Sequence, residues 1–122
     1  MWIGGGAMEC NKYEQVREAM TQLQAAAVQE RSRSVVPGES PGFRSALKKL
    51  QGLGESAESF SKAALGEIRQ TIAMVETMNL PLEPGSTADE NHKADVKETL
   101  PALLAERKGA FDAISQTDCG TS

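Results

Sequence analysis

A chain of 122 residues with 39% hydrophobic and 4% aromatic residues is long enough for one domain with a modest core, built mostly from small aliphatic side chains. Its net charge of −4 excludes a dedicated nucleic-acid binder, which needs a positive field to displace phosphate counterions. No stretch reaches the roughly 20 apolar residues of a membrane helix, and the opening "MWIGGGAM" has neither the positive n-region nor the unbroken apolar run of a secretory signal. These observations point to a soluble, cytoplasmic protein.

Residues 1–10 read as a flexible, glycine-rich arm. Trp2, Ile3 and Met8 precede the first helical pattern, and Gly4 to Gly6 supply free dihedrals. Leaving such side chains in water costs about 25 cal/mol per Å² of apolar area, so the arm is expected to bury them in its own bundle or on a partner.

The first helix starts in "NKYEQVREAM", where Asn11 and Glu14 have capping-box spacing. Tyr13, Val16, Met20, Leu23 and Ala27 then recur every three or four residues, an a/d-type stripe suited to nearly parallel helix packing. Val16, Met20 and Leu23 are candidates for a partner-facing surface as well as for core. "RSRSVVPGESPG" ends the helix with two Pro-Gly pairs.

Phe43 to Asn79 carries a second apolar frame through Phe43, Leu47, Leu50, Ala64, Ile68 and Val75. Glycines in "QGLGESAES" each cost about 1 kcal/mol relative to Ala inside a helix, and Ser56 offers a fresh cap. The expectation is therefore two helices, near 42–52 and 55–79, with one continuous rod as the rival. "NLPLEPGS" is a firm stop. Thr87 and Glu90 repeat the capping-box spacing, and the apolar face continues past Pro101 through Leu103, Leu104, Phe111 and Ile114. Pro101 either kinks a long last helix or opens a new one. The "SQTDCGTS" tail has no periodicity, which places the domain at 11–118 and a frayed end at 119–122.

Candidate chemistry is sparse. Asp89, His92 and Asp95 share one helix face, half of a carboxylate–histidine metal site, but His92 is the only histidine. A solvated, carboxylate-rich helix start accounts for them, and no metal or cofactor is expected. Cys10 and Cys119 lie near opposite ends of the sequence. Two independent thiols are the simpler expectation, with a bridge geometrically possible where the termini are neighbours. The glycine-rich stretches lack a preceding strand and the Lys-Ser/Thr of a phosphate loop. Arg44, Lys48 and Lys49, with Arg31 and Arg33, make a small basic patch that reads as a solvated face.

The Ala/Gln/Ser-rich composition resembles that of small helical proteins of bacterial secretion machines and phage particles. The Trp-x-Gly turn of the WXG-type hairpins is missing, because the sole tryptophan is at position 2. The expectation is an all-α bundle of three to four helices, non-enzymatic, acting by self-association or by docking a helical protein partner. Trp2, Ile3, Met8, Val16, Met20 and Leu23 are its candidate contact residues, and a ligand- or metal-responsive regulator centred on His92 is the alternative.

Overall fold

A computed structural model describes residues 10–33, 36–80 and 82–120. These residues form four α-helices and no strand: α1 (Cys10–Arg31), α2 (Pro41–Gly54), α3 (Lys62–Met78) and α4 (Thr87–Cys119), with a single 3₁₀ turn at Ala57–Ser59. The expected all-α bundle is what the chain builds.

Three serines set the helix starts. Ser40 Oγ accepts the Phe43 N–H at 3.3 Å, with Pro41 in the first turn where no N–H is missed. Ser61 Oγ accepts the Ala64 N–H at 3.1 Å, and Ser86 Oγ accepts the Asp89 N–H at 3.0 Å. Each such cap contributes about 1 kcal/mol. The expected caps differ. Asn11 lies inside α1, which already begins at Cys10; Ser56 makes no cap bond; and Thr87 is the first helical residue, one step after the true cap. The cap needs an extended backbone just before the helix, and Ser61 and Ser86 have it, with ψ of 163° and 158°.

The break between α2 and α3 falls where the glycines predict, but it is wider, and α3 starts at Lys62 rather than near residue 55. Gly54 allows a close approach there: a Cβ at this position would sit 3.1 Å from Ile68 Cγ2. Pro101 neither ends nor restarts α4, which spans 33 residues, about 50 Å. Buried Val96, Leu100, Leu104 and Phe111 flank the proline on both sides, and this packing offsets the roughly 3 kcal/mol that an interior proline costs.

Side-chain pairs fix the order of the helices. Arg17–Asp112 and Tyr13–Asp118 set α1 against α4, Arg107–Glu67 sets α4 against α3, and Gln51–Glu76 sets α3 against α2. The α1–α4 and α3–α4 pairs each join an early residue of one helix to a late residue of the other, and Gly38, just before α2, abuts Asn79 at the end of α3. The result is an up-down-up-down bundle in which α1 closes the ring onto α4. Val16, Met20 and Leu23 are buried with Phe43, Leu50, Ile68 and Phe111 in one core.

The same topology brings the two ends of the described chain together. Cys10 and Cys119 are disulfide-bonded, with Cα atoms 5.8 Å apart, which corrects the expectation of free thiols. α4 also runs through Cys119, where fraying was expected, and stops at Gly120 in the left-handed region (φ +55°). Next to the bridge, Tyr13 Oη donates to Asp118 Oδ2 at 2.7 Å and accepts the Ser61 N–H at 2.9 Å. Ser61 Oγ also donates to Asp118 Oδ2. The Tyr13 ring lies 5.2 Å from Phe60 and 5.7 Å from Phe111, centroid to centroid. Burial, helped by the acceptor Asp118, holds the Tyr13 phenol above its ordinary pKa.

Candidate functional site

The opposite end of the bundle is built by two connections, α1–α2 and α3–α4. Glu30, buried at the end of α1, organises the first: its Oε1 accepts the Gly38 N–H at 2.7 Å and its Oε2 the Ser40 N–H at 3.0 Å. Gly38 adopts φ +82°, a conformation only glycine takes cheaply. A side chain there is blocked in any case, because its Cβ would lie 2.3 Å from Asn79 Nδ2. The Asn79 carboxamide therefore packs directly on the Gly38 backbone.

Asn79 is the C-cap of α3, its own N–H donating to Val75 O at 3.0 Å. Its Oδ1 is buried and has no hydrogen-bond partner, the one such side-chain atom among the described residues. Beyond it, α4 ties the second connection down. Asp89 Oδ1 accepts the Leu82 N–H at 3.0 Å, and Asp89 Oδ2 pairs with Lys93 Nζ at 3.1 Å. The Lys93 ammonium, with help from the Leu82 N–H, holds the Asp89 carboxyl below the usual carboxylate range against the opposing effect of burial. His92 Nε2 lies 2.9 Å from Met78 O and bonds α4 to the end of α3.

Between these groups is a cleft of about 190 Å³, walled by Val36, Pro37, Met78, Leu80 and Val96, with Asn79, His92, Asp89, Lys93 and Glu39 as its polar lining. Beside it, Leu47, Ala73, Thr77 and Leu80 line a shallow, mostly apolar groove between α2 and α3. Val36, Leu80 and Leu82 stand exposed around the cleft. Asp89, Lys93 and His92 are already engaged in holding the two connections.

The sequence-predicted residues fall in three places. Trp2, Ile3 and Met8 lie outside the described residues. Val16, Met20 and Leu23 are fully buried in the core of the same chain, so they offer no surface to a partner; their stripe faces α2 and α4. Asp89 and His92 do come together at the cleft, while Asp95 is exposed on another side of α4, and no group of three metal-ligating side chains occurs among the described residues. In the basic patch, Arg44 pairs with Glu39 at 3.6 Å, and Lys48 and Lys49 are exposed.

Sequence reasoning missed Asn79, Glu30 and the exposed trio. A signal for the trio was present: Val36, Leu80 and Leu82 are large apolar residues inside proline-rich connections, where no helical stripe claims them. No family model, curated protein or solved structure matches the chain, so its functional reading rests on the geometry of this end.

Proposed function

We propose that this chain is a non-enzymatic helical interaction protein that associates through the end of the bundle formed by its two long connections. One observation carries the reading. Val36 (42% exposed), Leu80 (61%) and Leu82 (45%) are three of the four exposed large hydrophobic residues among those described, and all three gather at this end. Val36 and Leu80 wall the same cleft, and exposed apolar residues that cluster mark interaction sites.

A second copy of the chain is the partner this end fits best. Arg31, Arg33 and Arg44 stand there with Glu39, Glu83 and Glu90, all exposed. An end of mixed charge set against its own two-fold image can meet opposite signs, as an isologous interface requires. A different helical protein is the rival occupant. No described helix is long and apolar enough to cross a membrane. The Cys10–Cys119 bridge supports an oxidising compartment over the cytoplasmic expectation, because structural disulfides persist where thiols are not kept reduced.

Sedimentation velocity over a range of concentrations tests the reading. The wild-type chain should approach the mass of a dimer, and the Leu80→Glu, Leu82→Glu double variant should stay monomeric with an unchanged helical circular-dichroism spectrum. A wild-type chain that remains monomeric throughout rejects self-association. A second reading, a small-ligand-binding regulator, is favoured by the cleft of about 190 Å³ that His92 lines together with Pro37 and Val96.

A further inference from the structure

We propose that the apolar groove between α2 and α3 receives Leu82 of a second copy of the chain, with Glu83 of that copy set beside Lys48, and that the contact is reciprocal. This rests on the self-association proposed above and adds which surfaces meet. It follows from position, charge and symmetry taken together.

Position comes first. The groove is lined by Leu47 of α2, by Ala73, Glu76 and Thr77 of α3, and by Leu80 just beyond α3. Arg44, Lys48 and Gln51 follow one another on α2 at helical spacing and so share a face. Gln51 Nε2 donates to Glu76 Oε2 at 3.1 Å, which turns that face toward α3. Lys48 therefore stands on the α2 rim of the groove. On α3, Arg69 lies one turn before Ala73 and extends the opposite rim.

Charge divides at Leu80. Every charged residue of α2 is basic: Arg44, Lys48 and Lys49. Lys48 and Arg69 are exposed and, unlike Arg44, have no ion-pair partner among the described residues. From Asn79 to Glu90, by contrast, every charged residue is acidic: Glu83, Asp89 and Glu90. Asp89 is spent on Leu82 and Lys93, and Glu90 reaches only Lys93, at 3.7 Å. Glu83 is exposed, and Ser86 engages its backbone carbonyl alone, so its carboxylate is unpaired.

Symmetry then picks the occupant. An isologous interface lays one patch on its own half-turn image, so a patch with a basic half, an acidic half and an apolar centre satisfies itself. Leu80 is that centre. It is the most exposed large hydrophobic residue among those described, it lines the groove, and the acidic stretch begins just after it. With the two-fold axis at Leu80, the acidic half of each copy falls on the basic half of the other. Leu82, exposed in the single chain, is then covered by Leu47, Ala73 and Thr77 of the opposite copy.

Charge reversal tests this by sedimentation velocity of the full chain at low ionic strength, where rim charges are least screened. Lys48 and Glu83 are exposed, so Lys48→Glu and Glu83→Lys should keep the wild-type helical circular-dichroism spectrum. Each reversal acts twice in a symmetric dimer, and each variant alone should dimerise about tenfold more weakly than the wild type. An equimolar mixture of the two should recover the wild-type affinity, because both contacts of the mixed dimer then join opposite signs. A chain carrying both reversals should recover it as well. If the wild type dimerises but neither reversal weakens it, or if neither the mixture nor the double reversal recovers, this inference is overturned while self-association stands. A wild type that stays monomeric, as it would if the groove served a different protein or a small apolar molecule, overturns both.

Discussion

The two ends of this bundle are made from the same four helices and differ in almost every physical respect. At the Cys10–Cys119 end the chain is cross-linked, three aromatic rings pack together, and Tyr13, Ser61 and Asp118 satisfy one another. At the end formed by the two connections, large apolar side chains face solvent and a buried amide oxygen has no partner. Cohesion is concentrated at one end and unspent binding capacity at the other. A thin, aromatic-poor core can tolerate an unsatisfied end because the opposite end holds α1, α3 and α4 together.

The sharpest way to break this comparison is to cut the bridge. It closes a loop with a sequence separation of 109 residues, and constraining an unfolded chain over such a length stabilises a fold by about 4–5 kcal/mol. A Cys10→Ser, Cys119→Ser chain should show a correspondingly lower urea midpoint. An unchanged midpoint would mean that this end is not where the stability lies.

A smaller loss is expected for Tyr13→Phe. It removes the donor to Asp118 and the acceptor of the Ser61 N–H while keeping the ring, at about 1–3 kcal/mol. It also carries a signature in alkali. Because the folded Tyr13 holds its proton above the ordinary value, the native state binds more protons there, and the wild type loses stability as pH rises from about 10 through the raised value. Tyr13→Phe should lose less over the same range in thermal melts.

The smallest effect belongs to the other end. Asp89 has a lowered pKa, so the stability it contributes is present above the ordinary carboxylate range and is lost as pH falls through its folded value. Asp89→Asn should melt below the wild type at neutral pH, and the gap should close as the pH falls below the ordinary aspartate value of about 3.9. A gap that widens in acid would show that Lys93 does not set the state of this carboxylate.

Much of the fold was legible because periodicity reports burial directly. The stripe from Tyr13 to Ala27, the break in "QGLGESAES" and the stop at "NLPLEPGS" all correspond to observed elements. Caps were misplaced by one residue at Ser86 and by five at Ser61, since several Ser, Thr and Asn residues compete at each start and the three-dimensional entry angle decides between them. The bridge was not legible, because whether Cys10 meets Cys119 depends on an even number of antiparallel helices between them. The candidate site was the least legible part. Glu30 looks like any polar residue at a helix end, and Asn79 like any helix stop, until the chain folds Gly38 against both.

Hydrogen exchange on the folded chain tests the division of labour between the two ends most directly. The account predicts that amides of Val16, Phe111 and Ser115 exchange only through global unfolding, and that amides of Gly38, Ser40, Leu80 and Leu82 exchange much faster. Equal protection at both ends, or faster exchange at the disulfide-linked end, would contradict it.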